Sequence, residues 1–182
     1  AARPVDGGLP GIAVQPGVAD GLNSQPWQSS NNMGRMADVL AADLGRLAPN
    51  AKPKIDANLA ALKQRLLKLT ADSEARLAKA DNLTVVSLSD HFAYLVSSLN
   101  LEVVNTDARP DADWTVEDLQ KLSTELKDND VAVVLHHRQP SEAVKTAVTA
   151  GGAQLLVLNV DGAEPVAELE TNVDQVIKAL SP

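Results

Sequence analysis

The sequence lacks cysteine, has very few aromatic residues and is short of cationic side chains, and each shortage excludes a class of function. Without cysteine the chain forms no disulfide, thiolate metal site or cysteine nucleophile. Aromatic residues make up 2% of the chain, so side chains that stack on bases or sugars are scarce. The net charge of -8 disfavours nucleic acid and anionic membrane surfaces as partners.

Long apolar runs and familiar catalytic motifs are missing as well. No run approaches the roughly 20 apolar residues that cross a bilayer, so we expect no membrane insertion. The sequence has no nucleophile elbow, P-loop, HExxH helix or dinucleotide-binding glycine pattern, so we expect no enzymatic activity. The opening stretch AARPVDGG is compatible with cleavage after a small-residue secretory site, with the signal peptide already removed.

Proline, glycine and apolar periodicity divide the chain into three parts that form one compact domain. Residues 1–32 are rich in proline and glycine and are predicted to be irregular. Residues 33–80 are predicted to form a helical pair, whose second helix over 54–79 would be nearly 40 Å long at about 1.5 Å per residue. Residues 81–182 are predicted to form an α/β lobe.

Four apolar runs in the last part predict strands, and the amphipathic stretches between them predict helices. The runs are LTVVSL (83–88), LEVV (101–104), VAVVL (131–135) and QLLVLNV (154–160). Because these runs do not alternate with polar residues, both faces of the sheet are predicted to be covered, which is typical of parallel strands. The fold predicted is therefore α/β, a single lobe with a four-stranded parallel sheet flanked by helices and a long backbone helix.

The three histidines follow two of these predicted strands. His91 follows the first strand, and His136 and His137 follow the third. The carboxyl ends of parallel strands meet at one edge, where ligands bind, and Asp90 and Asp161 belong to the same edge. Imidazoles with a carboxylate suit zinc, whereas calcium and magnesium prefer oxygen ligands. We predict a site for zinc, or another divalent transition metal, made by His91, His136, His137 and Asp161.

A plainer interpretation of the histidines stays open. A histidine after a strand is often a surface residue, or donates one ring hydrogen to a backbone carbonyl. Adjacent residues of an extended segment also point to opposite faces. If the chain stays extended, only one of His136 and His137 faces a given ion.

Three stretches together resemble the zinc/manganese-type periplasmic solute-binding proteins of ABC importers. They are PWQSSNNMGRMADVLAADLGRLAPNAKPKIDANLAALKQRLLKL, VVSLSDHFAYLVSSLNLEVV and DVAVVLHHRQPSEAVKTAVTAGGAQLLVLNVDG. The resemblance covers roughly residues 22–182, through the order and spacing of these stretches. It implies a periplasmic protein that binds zinc and buffers it, or relays it to or from a membrane transporter of the ABC type.

The departures from the family pattern concern the metal ligands. The residues that correspond to family ligands are Gln25, Ser89 and Asn159, while His137 falls where the family has a glutamate. Only about 25 residues precede the tryptophan loop, so the family's N-terminal lobe is expected to be missing or reduced. An open site of this kind predicts micromolar affinity, roughly -8 kcal/mol, which falls below about pH 6.5 as imidazoles protonate. The alternative is a metal-free interaction module, a degenerate lobe that docks on an ABC transport complex.

Overall fold

The computed structural model describes residues 25–181, so most of the irregular segment predicted over residues 1–32 lies outside the described residues. The helices are α1 (Ser30–Leu47), α2 (Lys52–Leu77), α3 (Ala93–Ser98), α4 (Val116–Asp128), α5 (Glu142–Ala150) and α6 (Pro165–Leu180). The strands are β1 (Thr84–Ser87), β2 (Glu102–Thr106), β3 (Val133–His136) and β4 (Gln154–Val157). Short 3-10 turns cover Pro26–Gln28, Pro49–Ala51, Asp90–Phe92 and Asp111–Asp113. None of the helices within 25–181 is both long and apolar enough to span a membrane.

The strands form one parallel sheet in the order β2-β1-β3-β4, which confirms the predicted fold class. Successive side chains of each strand enter different cores. Val85 and Val133 pack with α2, α3 and α6, whereas Val86 and Val134 pack with α4 and α5. All four valines are fully buried, and burying one contributes about 1.5–3 kcal/mol relative to exposure. Burial on both faces is why these runs carry no polar alternation.

Side-chain caps fix where the helices of the lobe begin. Thr115 and Asp118 form a capping box at the start of α4, and the hydroxyl of Ser141 accepts from the backbone N–H of Val144 at the start of α5. Serine and threonine are favoured at this position because their hydroxyls accept from the first free N–H groups of a helix. At the start of α1, the hydroxyl of Ser29 accepts from the N–H of Asn32.

The long helix α2 is continuous over 26 residues and packs against α1 on one side and α6 on the other. Its inner half is covered by the lobe, where Leu66 and Leu77 are buried. The outer half of the α1–α2 pair is more open, and Leu40 and Leu47 of α1 are 60% and 77% exposed. The apolar stripe that predicts α1 is therefore covered only partly by the described residues.

The two adjacent glycines after α5 have different roles. Gly152 has a φ of +85°, the left-handed conformation that often ends a helix. Gly151 is right-handed, but a Cβ at this position would lie 2.7 Å from the Cβ of Leu126 in α4. Close packing of α5 against α4 therefore requires the first glycine, and the backbone turn into β4 requires the second.

Candidate metal centre

The turn that follows β1 positions His91. Ser89 is buried, and its hydroxyl accepts from the backbone N–H of His91 at 3.2 Å. The hydroxyl of Ser87 donates to the carbonyl of Ser89 at 2.7 Å. These bonds shape the 3-10 turn Asp90–Phe92, whose phenylalanine is fully buried. Ser89 thus acts as a cap that holds the histidine at the carboxyl edge of the sheet.

The bend after β3 places the ring of His137 against the ring of His91. The rings of His91 and His137 meet edge to face, with centroids 4.7 Å apart and planes inclined by 72°. The Nδ1 atom of His137 is buried and has no hydrogen-bond partner among residues 25–181. Buried polar atoms are rarely left without a partner, and in folded proteins an ion or an ordered water often provides one. Residues 46 positions apart therefore converge, as the topology predicted.

His136 is oriented differently from His137, although the two rings stack with centroids 5.1 Å apart. Its side chain is 3% exposed. Its Nδ1 accepts from the backbone N–H of Arg138 at 3.1 Å, so the proton of the neutral ring lies on Nε2, which is 3.6 Å from Oδ1 of Asp111. With the proton on Nε2 and Nδ1 accepting a hydrogen bond, neither nitrogen of this ring has a free lone pair. β3 ends at His136, and His137 lies in the bend that follows, so the two rings stack instead of pointing to opposite faces of the sheet.

Burial lowers the pKa of both His136 and His137. It lowers the pKa of His136, and the carboxylate of Asp111 opposes this only in part. Burial also lowers the pKa of His137, and positive charge on His91, His136 or Arg138 lowers it further, against the opposing effect of Asp90. Because the ordinary imidazole pKa is about 6.5, a lowered pKa favours the neutral His137 ring at pH 7. A neutral imidazole is the form that binds a metal ion.

Two polar side chains flank the ring of His91. The Nε2 atom of His91 lies 3.8 Å from Oδ1 of Asp90, which places negative charge beside that nitrogen. On the other side, the amide nitrogen of Gln25 lies 2.7 Å from Nδ1 of His91. The turn Pro26–Gln28 holds this glutamine in place, because Trp27 packs against the core formed with α2 and α6.

The loop after β4 is organised around a buried carboxylate. Glu168 of α6 is 8% exposed and accepts from the amide of Asn159 at 3.0 Å, the N–H of Gly162 at 2.5 Å and the amide of Gln28 at 3.3 Å. The side-chain oxygen of Asn159 accepts from the backbone N–H of Asp161 at 3.4 Å. Asn159 is therefore part of a structural hydrogen-bond network.

The structure thus brings together part of the predicted ligand set. His91 and His137 share one place with Asp90 beside them, whereas His136 faces Asp111 and Asp161 lies exposed in the β4–α6 loop. Within the described residues, no three His, Asp or Glu side chains are already arranged to hold a metal ion. The sequence placed Asp90 at this edge without indicating a role for it, and it gave no local signal for Glu168.

Comparison with known proteins identifies the family. The profile of the family described as ZnuA, zinc-uptake complex component A periplasmic, matches residues 8–180. The chain belongs to the ZnuA family. The resemblance inferred from the three sequence stretches is thereby confirmed. No curated protein sequence matches the chain.

Solved structures of metal-binding relatives share the ZnuA-family fold. A mutant of FpvC from Pseudomonas aeruginosa is 22% identical, with a TM-score of 0.79, covering 96% of this chain and 70% of its own. FpvC from the same organism in complex with Ni²⁺ is 27% identical, with a TM-score of 0.68 and coverages of 91% and 65%. A 138–173 deletion mutant of ZnuA with zinc bound is 21% identical, with a TM-score of 0.76 and coverages of 97% and 69%. The chain therefore spans about two thirds of the length of these structures.

Proposed function

We propose that this chain binds a divalent transition metal, with zinc as the preferred ion, as the solute it carries. The ligands are one ring nitrogen each from His91 and His137. The observation that carries this proposal is the edge-to-face contact of the two rings together with the buried, unbonded Nδ1 of His137. His136 and Asp161 are left out, because neither nitrogen of His136 has a free lone pair and Asp161 lies exposed in the β4–α6 loop.

The carboxylate of Asp90 supplies charge, and after a small side-chain movement an oxygen ligand. Its Oδ1 is 3.8 Å from Nε2 of His91, and two ligand atoms of a tetrahedral zinc ion are separated by little more than about 3 Å, given bonds of about 2.0–2.2 Å. We expect a rotation of the Asp90 side chain to close this difference when the metal binds. Water would occupy the remaining positions, because part of the His91 ring is exposed to solvent.

The donor set favours zinc and its neighbours in the first transition row. Imidazole nitrogen with a carboxylate suits zinc, nickel and copper, whereas magnesium and calcium select oxygen ligands. Solved relatives have been observed with zinc, Ni²⁺ and Mn²⁺ bound. These ions support a divalent metal as the solute, and the family description supports zinc.

The open ligand set suggests a role in buffering or relay. Two imidazoles, one carboxylate and water hold zinc less tightly than four buried protein ligands, so we expect micromolar affinity, about -8 kcal/mol. Ions bound at this strength exchange readily, which suits delivery to or acceptance from a membrane transporter in the periplasm. The family description, a periplasmic component of a zinc-uptake complex, supports this location and partner.

A zinc titration of the metal-stripped protein, followed by calorimetry at pH 7.5, tests the proposal. We expect saturation at a single zinc ion per chain with micromolar affinity, and no binding of magnesium at the same concentration. Zinc binding that is absent, or no tighter than that of magnesium, would contradict the proposal. A stable complex with a membrane transporter that persists in chelator, without zinc binding, would support the interaction-module alternative.

A further inference from the structure

The side chain of Gln25 contacts the ring of His91, one of the two proposed ligands. The amide nitrogen of the glutamine and Nδ1 of the imidazole are 2.7 Å apart, a full-strength hydrogen-bond distance. Gln25 is 7% exposed, so solvent competes little for this bond. The two residues are 66 positions apart in sequence, so this contact exists only in the folded protein.

The direction of this hydrogen bond determines which nitrogen of His91 can bind a metal. A neutral imidazole carries one proton, either on Nδ1 or on Nε2. If the glutamine N–H donates to Nδ1, the proton lies on Nε2 and neither nitrogen has a lone pair left for an ion. If the amide is turned by half a rotation, its oxygen accepts from Nδ1–H, and Nε2 is left with a free lone pair. The two amide orientations have nearly the same shape.

The surroundings of Nε2 favour the second orientation. Oδ1 of Asp90 lies 3.8 Å from this nitrogen, which is too far for a hydrogen bond but close enough to attract a cation placed between the two atoms. An Nε2 proton would therefore gain little from Asp90. A lone pair on Nε2 has the carboxylate of Asp90 beside it, on a ring that contacts the ring of His137, and this arrangement favours a cation at Nε2.

We propose that Gln25 is a positioning residue: its amide oxygen accepts from Nδ1–H of His91 and so presents Nε2 as the metal-binding nitrogen. This inference rests on the proposed metal binding at His91 and His137. Metal-binding histidines usually donate their second ring N–H to an oxygen in this way, which fixes both the tautomer and the orientation of the ring. Here the oxygen comes from the turn before α1, so the position of that turn is coupled to the metal site.

The tautomer of His91 can be measured without any metal. Long-range ¹H–¹⁵N correlation spectra of the metal-stripped protein at pH 8 distinguish protonated from unprotonated ring nitrogens. We expect Nδ1 of His91 to show the shift of a protonated nitrogen and Nε2 that of an unprotonated one. In Gln25→Leu, which has similar size and no oxygen, we expect the proton to move largely to Nε2.

The zinc affinity of Gln25 variants provides a second test of the hydrogen bond between Gln25 and His91. Loss of an outer hydrogen bond of this kind typically costs about 10–100-fold in metal affinity, and we expect a loss in this range for Gln25→Leu. Gln25→Glu keeps an oxygen acceptor, so it should retain both the Nδ1–H tautomer and the zinc affinity. Thermal unfolding of each metal-stripped variant shows whether its fold is intact. The ¹H–¹⁵N spectrum of the wild-type protein tests the tautomer of His91 even if a variant fails to fold.

The outcomes separate this inference from the proposed function. A wild-type His91 with its proton on Nε2, or a tautomer unchanged in Gln25→Leu, overturns the role of Gln25 even if zinc binds. A Gln25→Leu variant that loses zinc affinity while keeping the Nδ1–H tautomer also overturns it, since the glutamine would then be a direct ligand. Absence of zinc binding to the wild type, with the Nδ1–H tautomer present, contradicts the proposed function and leaves the hydrogen bond as assigned.

Discussion

Replacing His137 with alanine is expected to lower the affinity for zinc by about a hundredfold or more. The substitution removes one of two nitrogen ligands, and the loss of an outer hydrogen bond alone typically costs about 10–100-fold. A hundredfold loss corresponds to about 2.7 kcal/mol, a large part of the roughly -8 kcal/mol expected for the whole site. Calorimetric titration with zinc measures the effect, and His91→Ala should give a loss of similar size.

Two variants serve as controls for this prediction. Asp161→Asn alters an exposed side chain in the β4–α6 loop and should leave zinc affinity unchanged. His136→Ala removes a buried ring that faces Asp111, so it should reduce the free energy of unfolding more than it reduces zinc affinity. If Asp161→Asn and His136→Ala lower the affinity as much as His137→Ala does, the four-ligand site predicted from the sequence is correct and the two-histidine site is wrong.

Replacing Glu168 with alanine is expected to reduce the free energy of unfolding by about 2–4 kcal/mol. The carboxylate accepts from Gln28, Asn159 and Gly162, and its removal leaves buried donors without a partner. Hydrogen bonds to charged groups contribute about 1.5–3 kcal/mol, and each unsatisfied buried group costs about 1–3 kcal/mol. Urea unfolding of the metal-stripped protein measures the change.

Glu170 provides a matched control two positions along the same helix. It forms an ion pair with Arg65, whose side chain is 53% exposed, and such pairs contribute about 0–1 kcal/mol. Glu170→Ala should therefore reduce the free energy of unfolding by less than about 1 kcal/mol. Equal losses in the two variants would show that the network around Glu168 contributes no more than a surface ion pair.

The fold could be predicted because apolar patterning and caps carry local information. The run at 131–135 predicted β3, observed over Val133–His136, since valines buried on both faces leave no polar residue in the run. Thr115 followed by Asp118 has the pattern of a capping box, which is formed within one turn and marks the start of α4. The carboxyl edge of a parallel sheet also predicted that His91 would meet a histidine after β3.

The remaining features of the site depend on contacts that no local pattern encodes. Which of two adjacent histidines faces His91 depends on where the extended backbone of β3 ends, and on the N–H of Arg138 that binds the ring of His136. Gln28 and Glu168 are 140 positions apart. A buried glutamate on an amphipathic helix looks like any solvent-facing residue until the loop that covers it is known.

The ligands of the bound ion can be observed by X-ray absorption at the zinc edge, or in a crystal structure of the zinc-loaded protein. We predict zinc at about 2.0–2.1 Å from one nitrogen of His91 and one nitrogen of His137, with oxygen atoms completing the shell. A zinc ion bound by oxygen atoms alone, or held through His136 with His91 uncoordinated, would contradict the proposed site.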